Sequence, residues 1–260
     1  MDEAALIIGG GVGPMAGVAL HGHIVRNTLA AGDEDHLDLC HLSLSRAIPD
    51  RTEFLLGRTA VNPAAGMADA LGMALRGFAP RRAVVGVPCN TFHAAPIFDV
   101  FKELAAAKAA ALGSALSVVD MIAETAAALR EGFPAARAVG LMTTTGTRRV
   151  GLYERALADS GARVIQVPED RQELLHACIY DRSWGLKACY PASERALTEL
   201  FTMARLLADE GAEVLIMGCT ELPLALTESP VYGMPLLDPV EALARAMLRE
   251  AAPAKLAPRA

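Results

Sequence analysis

Two of the five cysteines stand at the ends of similar apolar segments. Cys89 lies in VVGVPCNT (Val84–Thr91), and Cys219 lies in VLIMGCTE (Val214–Glu221). A thiol has an unperturbed pKa near 8.5, which nearby amides or cations lower. A thiolate and a thiol on opposite sides of one carbon form an acid–base pair, in which one removes a proton and the other returns a proton to the opposite face. The pattern therefore predicts inversion at a carbon that carries an acidic hydrogen.

A single cysteine after an apolar strand is most often a small buried residue. Here the two cysteines belong to an internal repeat, because they are 130 positions apart and other features share nearly the same spacing. The opening LIIGGGVG resembles the later AVGLMTTTG, and matching Gly13 to Gly146 gives an offset of 133. We infer two similar α/β halves, each with a cysteine at the carboxyl end of an equivalent strand. Open parallel sheets build their sites there, which predicts both thiols across one cleft.

Short apolar runs alternate with longer stretches rich in alanine and leucine, which indicates β-α units and parallel sheets covered on both faces. The predicted strands are Leu6–Gly9, Leu37–Leu44, Ala83–Val87, Ala115–Val118, Ala138–Met142, Arg163–Val167 and Val214–Met217. The predicted helices are Ala16–Ala30, Asn62–Gly77, Val100–Ala111, Val150–Ser160, Glu194–Asp209 and Pro239–Glu250, followed by a frayed tail over Ala251–Ala260. The expected fold is two pseudosymmetric Rossmann-like α/β domains, residues 1–115 plus 225–260 and residues 116–224, with the active site in the interdomain cleft.

The glycine loop after the first strand also fits G-x-G-x-x-A, the pattern of a dinucleotide-binding loop, over Gly11–Ala16. That function requires an acidic residue at the end of the second strand, to hold a ribose. The second predicted strand is instead followed by Arg46, which leaves a site for a 2′-phosphate open but does not account for the cysteine motifs. We favour a loop whose backbone amides approach a small carboxylate.

The composition is that of an ordinary globular protein, with 53% hydrophobic and 21% charged residues among 260. A net charge of −6 argues against a nucleic-acid partner, and no apolar run is long enough for a membrane helix. The acidic N-terminus does not resemble a secretory signal. The cysteines are widely spaced without a C-x-x-C pair, so neither a zinc site nor a disulfide framework is indicated. We expect a cytoplasmic protein with free thiols.

On its motifs the chain resembles the aspartate/glutamate racemase superfamily, in particular its aspartate racemase branch. The motifs that carry the resemblance span nearly the whole chain: GGVGPMA (10–16), IPDRT (48–52), PCNTFH (88–93), TTTGT (143–147), GLK (185–187) and GCTEL (218–222). The resemblance implies racemisation of a small acidic amino acid by Cys89 and Cys219 without pyridoxal phosphate or metal, and a homodimer. Glutamate racemases usually carry His at the position of Glu221 and Gly-Leu-Ser in the first loop, so these differences favour the aspartate branch or a relative of broader specificity.

The remaining candidate residues are polar or flexible groups expected to bind the substrate. Those in the motifs around the first loop and Cys89 are Gly11, Met15, Arg51, Asn90 and Thr91, and those around Cys219 are Thr143, Thr144, Thr145, Lys187, Thr220 and Glu221. A dianionic substrate needs a cation, and the planar guanidinium of Arg51 can donate two parallel hydrogen bonds to a carboxylate.

Several of these residues have a structural alternative. Arg51 and Lys187 also fit solvated surface positions, and the three threonines also fit a polar turn after a strand. His93, four residues after Cys89, either tunes the thiol or packs as a structural histidine. Cys40, Cys178 and Cys189 have no counterpart in the repeat and are predicted to be structural.

Other functions remain open at this point. Within the superfamily they are glutamate or broad-specificity racemase, hydantoin racemase, maleate isomerase and arylmalonate-type decarboxylase. The decarboxylases characteristically use one catalytic cysteine, so the presence of two disfavours them. Outside the enzymes, the alternative is a non-catalytic protein that binds a small acid.

Overall fold

A computed structural model describes residues 3–259 and divides the chain into two compact units. Unit 1 contains the chain up to Glu124 together with the segment that begins at Val240, and unit 2 runs from Thr125 to Pro239. Each unit contains one four-stranded sheet in which every pairing is parallel.

The two sheets have the same strand order, which confirms the internal repeat. The sheet of unit 1 contains β1 (Ala5–Gly10), β2 (Leu39–Ser43), β3 (Ala83–Gly86) and β4 (Leu116–Val118) in the order β2-β1-β3-β4. The sheet of unit 2 contains β5 (Ala138–Thr143), β6 (Arg163–Gln166), β7 (Val214–Gly218) and β8 (Leu236–Leu237) in the order β6-β5-β7-β8. Strands β1, β3, β5 and β7 are central and buried along their whole length, which explains their uninterrupted apolar sequences.

Helices follow the strands as the β-α alternation predicts. They are α1 (Pro14–Arg26), α2 (Arg51–Leu55), α3 (Pro63–Phe78), α4 (Ala95–Ala111), α5 (Met121–Gly132), α6 (Thr145–Arg149), α7 (Leu152–Ala156), α8 (Glu169–Tyr180), α9 (Glu194–Asp209) and α10 (Pro239–Ala251). Helix α9 illustrates which local features of the sequence form these helices. The Ser193 hydroxyl caps its start by accepting from the Ala196 amide, and Leu200, Met203 and Leu207 form its buried stripe.

Hydrophobic clusters cover the sheets. In unit 1, α3 and α4 contribute to one cluster and α1 and α10 to another, so the sheet is packed on both sides. In unit 2, α8 and α9 pack with residues of β5, β6 and β7. Among residues 3–259, no helix combines the length and apolar character needed to cross a bilayer.

The unit boundaries differ from the expected ones, 115/116 and 224/225, for a reason visible in the strand pairing. Strand β4 pairs with β3 and therefore belongs to unit 1, whereas β8 pairs with β7 and belongs to unit 2. The two-residue strand β8 and the helices α2, α5, α6 and α8 were not among the predicted elements.

The segment after α10 also differs from the expected frayed tail. Pro253–Lys255 forms a 3-10 turn, and Leu256 forms an antiparallel bridge with Thr28. The amide of Ala257 then donates to the carbonyl of Asn27 at 2.9 Å. These backbone bonds hold the segment against the end of α1, while Ala260 lies outside the described residues.

Candidate active site

The predicted site residues lie at the carboxyl edges of the two sheets. In unit 1, β1 pairs with β3 and places the glycine loop beside the segment that leads to Cys89. In unit 2, β5 pairs with β7 in a register that sets Thr143 opposite Gly218, directly before Cys219. We call the first group (Gly11, Arg51, Cys89, Asn90, Thr91) the Cys89 cluster. The second group (Thr143, Thr144, Thr145, Lys187, Cys219, Thr220, Glu221) is the Cys219 cluster.

The glycine loop approaches the backbone that follows β2. Gly11 has φ +92°, and a Cβ atom there would lie 2.8 Å from the amide nitrogens of Leu44 and Ser45. Both the positive φ and the close contact require glycine at this position. The loop ends at Gly13, which precedes Pro14 at the first position of α1, while Met15 lies half-buried in the first helical turn.

Arg51 opens the short helix α2, whose start is capped by the Asp50 carboxylate accepting from the Glu53 amide. The arginine is 7% exposed, so it is not the solvated surface residue of the alternative interpretation. Its Nη1 donates to the Pro49 carbonyl at 3.2 Å and its Nη2 to the Val12 carbonyl at 3.4 Å. These bonds fix the guanidinium against the glycine loop.

Cys89 is 7% exposed and lies in extended backbone before a 3-10 turn, Asn90–His93, whose four residues are buried. The amide of Phe92 donates to the Cys89 carbonyl, and His93 Nδ1 lies 3.0 Å from the same oxygen. The His93 ring packs against Phe98 with centroids 4.4 Å apart. Because His93 contacts the carbonyl of Cys89, this geometry favours the packed histidine over one that tunes the thiol.

The three threonines after β5 have different environments. Thr143 is 1% exposed, and its hydroxyl has no hydrogen-bond partner within residues 3–259. Thr144 caps α6 by accepting from the Thr147 amide, and is therefore largely structural. Thr145 is half-buried, and its amide donates to His176 Nδ1 at 3.4 Å on α8. Thr143 thus offers a buried hydroxyl to a ligand at the sheet edge.

Lys187 reaches the Cys219 cluster through an ion pair. Its Nζ lies 2.5 Å from Oε1 of Glu221, with side chains 24% and 4% exposed. The other carboxylate oxygen, Oε2, accepts from the Sγ of Cys219 at 3.1 Å and from the Thr220 hydroxyl at 3.4 Å. The structure therefore brings Lys187, Cys219, Thr220 and Glu221 into one hydrogen-bonded group.

This group sets the charge state of its members. Burial and the neighbouring Glu221 carboxylate raise the pKa of Cys219 well above its ordinary value, against a smaller lowering by Lys187. Burial lowers the pKa of Lys187, but Glu221, with Cys219 and Tyr180, raises it by more, so the net shift is upward. Near neutral pH, Cys219 is accordingly a thiol and Lys187 a cation.

The sequence analysis missed residues on α8 and α2. The rings of His176 and Tyr180 stack with centroids 4.5 Å apart, and the ammonium of Lys187 lies 5.2 Å from the Tyr180 ring centre. Their four-residue spacing on α8 was a usable signal, but that helix was not predicted. The Thr52 hydroxyl, beside Arg51, is buried and has no hydrogen-bond partner among the described residues.

The three remaining cysteines have ordinary structural environments. Cys178 is fully buried, and its pKa is raised to about 11, chiefly by burial. Cys189 is half-buried and donates to the Ser183 carbonyl, while Cys40 is a half-buried residue of β2.

The chain is similar to known proteins in sequence and in fold. The sequence model of a family described as Asp/Glu/Hydantoin racemase matches residues 10–247. The aspartate racemase of Picrophilus torridus is 23% identical with a TM-score of 0.76, over 96% of this chain and 94% of the other. An aspartate racemase homologue from Pyrococcus horikoshii is 20% identical with a TM-score of 0.67, over 96% and 99%. A glutamate racemase from Francisella tularensis, in complex with D-glutamate, is 16% identical with a TM-score of 0.63, over 100% and 85%. The structural matches show a shared fold.

Proposed function

Because the chain belongs to the Asp/Glu/hydantoin racemase family, we propose that it is an amino-acid racemase that interconverts L- and D-aspartate without a cofactor. The observation that carries this proposal is the repeat itself. Two sheets of identical strand order each place one buried cysteine after the third strand of the repeat, beside a loop able to bind a carboxylate.

The proposed reaction is a two-base proton transfer. The thiolate of one cysteine takes the α-proton of the amino acid, and the electron pair of the broken C–H bond remains on carbon. The thiol of the other cysteine then gives its proton to the opposite face, which forms the mirror-image amino acid and leaves a thiolate. The roles of Cys89 and Cys219 reverse for the other enantiomer, and no net oxidation occurs.

The intermediate is a carbanion next to a carboxylate, so it needs stabilisation by fixed charges and hydrogen-bond donors. In the Cys89 cluster we assign this role to the Arg51 guanidinium and the polar residues Asn90 and Thr91. In the Cys219 cluster we assign it to the Thr143 hydroxyl, which is buried, and to Lys187. Removal of one such group is expected to cost on the order of 10²-fold in rate.

Aspartate is the substrate we favour, on two grounds. The sequence motifs match the aspartate branch at Glu221 and in the first loop, and two of the structural relatives above are named as an aspartate racemase or its homologue. The family resemblance also leads us to propose a homodimer, which sedimentation velocity would detect as a species of about 55 kDa rather than a single 27.3 kDa chain.

The decisive experiment replaces each cysteine in turn. Cys89→Ser and Cys219→Ser should each reduce conversion of L- to D-aspartate at least about 10³-fold, because a serine hydroxyl is a far weaker acid than a thiol and is hardly ever ionised near neutral pH. Conversion is followed by circular dichroism, and incorporation of deuterium at the α-carbon in D₂O by mass spectrometry.

Cys189→Ser is the matched control, since this half-buried cysteine lies outside both clusters and should retain full activity. Near-wild-type turnover in either cluster variant would contradict the mechanism. If the wild-type protein exchanges no α-hydrogen with any of a panel of amino acids, the chain is instead a binding protein. Preferred exchange of glutamate would move the assignment to another branch.

A further inference from the structure

Glu221 is engaged at both carboxylate oxygens although it is only 3% exposed. Oε1 lies 2.5 Å from the ammonium of Lys187, and Oε2 accepts from the Cys219 thiol at 3.1 Å. Thr220 donates to Oε2 at 3.4 Å. The carboxylate is thus held beside the sulfur, and it is a poor candidate for the direct substrate contact expected from the sequence.

We infer that Glu221 is a positioning residue that keeps Cys219 protonated in the free enzyme, so that Cys219 enters the reaction as the proton donor. This inference rests on the proposed two-cysteine reaction. A carboxylate at hydrogen-bond distance stabilises the thiol and repels the thiolate, because the thiolate would place a second negative charge beside it. In the proposed pair, the direction that uses Cys219 as the donor needs no change of charge at Cys219 beforehand, whereas the reverse direction requires Cys219 to lose its proton first.

The repeat provides an internal comparison. The residue two positions after Cys219 is Glu221, whereas the residue two positions after Cys89 is the neutral Thr91. Equivalent cysteines of the two units therefore have unequal immediate neighbours, and only one of them has a carboxylate at that position.

Lys187 opposes the effect of Glu221. The groups facing the Cys219 sulfur and its partner are the Glu221 carboxylate, the Lys187 ammonium and, beyond it, the Tyr180 ring. Burial, and after it Glu221, raise the pKa of Cys219, whereas Lys187 lowers it. Substitution of Glu221 must therefore lower the pKa of Cys219, and substitution of Lys187 must raise it. A merely structural role of the two residues would not produce opposite shifts.

The test measures the titration of Cys219 directly in the full chain. Iodoacetamide reacts with the thiolate, so the alkylation rate of the Cys219 peptide, followed by mass spectrometry between pH 6 and 10, reports the pKa of that thiol. In Glu221→Gln we expect the midpoint to fall and alkylation at pH 7.5 to be about tenfold faster. In Lys187→Met we expect a higher midpoint and slower alkylation, and Glu221→Asp should keep the midpoint near that of the wild type.

The matched control is Glu228→Gln, an exposed glutamate of the same unit, which should leave the midpoint unchanged. An unchanged midpoint in Glu221→Gln would overturn the inference. If that variant does not fold, Lys187→Met decides, and a midpoint that it does not raise would overturn the inference. The measurement requires no turnover. If the variants show these shifts in the Cys219 midpoint but the wild-type protein is inactive, only the racemase proposal is refuted. If the wild-type protein is active but the variants show no shifts, only the role of Glu221 is refuted.

Discussion

Arg51 is the cation of the Cys89 cluster, and its guanidinium donates to the backbone carbonyls of Val12 and Pro49. Lys187 is paired with Glu221, so the charge of that pair is balanced. A planar guanidinium can donate two parallel hydrogen bonds to a substrate carboxylate, which an ammonium cannot. At the scale of single residues, the proposed recognition of an acidic amino acid depends chiefly on Arg51.

We predict that Arg51→Lys lowers kcat/KM for aspartate by about 10- to 100-fold. Lysine keeps the positive charge but loses the planar fork that binds a carboxylate through two parallel hydrogen bonds. Steady-state kinetics by circular dichroism would measure the loss, with thermal unfolding as a check on folding. Arg58→Lys is the control, because Arg58 is exposed and pairs only weakly with Glu53. Unchanged kinetics in Arg51→Lys would remove this residue from the substrate site.

Some of these residues could be predicted from the sequence and others could not, for a physical reason. Cys89 and Cys219 follow strands directly, so a strand pattern is enough to place them at a sheet edge. The pairing of Lys187 with Glu221 joins residues 34 positions apart through a turn after α8. No local pattern encodes that distance, and the sequence therefore indicated Glu221 as a substrate contact without showing that both of its oxygens are engaged.

At the scale of elements, the central strands and the edge strands β2, β4 and β6 were predictable, and the edge strand β8 was not. Strands β1, β3, β5 and β7 are buried on both faces, so their apolar runs are unmistakable. Strand β8 has two residues and no pattern to detect, although it occupies the place of β4 in the repeat. Helix α8 has a sequence with several charged residues and a weak apolar stripe, because part of it lies along the Cys219 cluster rather than the core.

The close approach of β5 and β7 leads to a prediction about Gly218. A Cβ atom there would lie 2.5 Å from Thr143 Cγ2 and 2.9 Å from the Met142 carbonyl oxygen. Gly218→Ala must therefore push the strands apart next to Cys219, and we expect a loss of about 1–3 kcal/mol in the free energy of unfolding together with reduced activity. Urea denaturation measures the first effect and aspartate conversion the second.

Gly77 provides the contrasting variant. It lies near the end of α3, and an added Cβ atom would meet nothing within 4 Å. Gly77→Ala should therefore stabilise the protein by roughly 0.5–1 kcal/mol, because alanine favours the helix and restricts the unfolded chain. If both alanine variants behaved alike, packing between β5 and β7 would not be what requires glycine at position 218.

At the scale of the whole molecule, each hydrophobic core cluster takes its residues from one unit. One cluster lies within unit 2, and the other two lie within unit 1. The chain nevertheless passes between the units twice, once at the start of α5 and once at the start of α10. The boundaries expected from the sequence, 115/116 and 224/225, differ from these crossings, because the first separates β4 from β3 and the second separates β8 from β7.

Because each unit has its own hydrophobic core, we expect a substitution that destabilises one unit to leave the local stability of the other unchanged. A pair of substitutions can test this. Leu200 of α9 and Leu75 of α3 are both fully buried, each in the core of a different unit. Truncation of either to alanine is expected to cost about 2–5 kcal/mol, since it removes buried methyl groups and leaves a cavity. Because each cluster formed by residues 3–259 lies within one unit, Leu200→Ala should accelerate amide hydrogen exchange in β5 and β7 and leave β1 and β3 near their wild-type rates.

Leu75→Ala should give the reverse pattern, so each variant serves as the control for the other. Hydrogen exchange followed by mass spectrometry at a denaturant concentration well below the midpoint would resolve the four central strands. If either substitution accelerated exchange equally in both sheets, the molecule would open as one cooperative unit in spite of its divided cores. The duplicated sheets would then act as a single folding domain, and the two cysteines would be positioned by the stability of the whole chain rather than by that of their own unit.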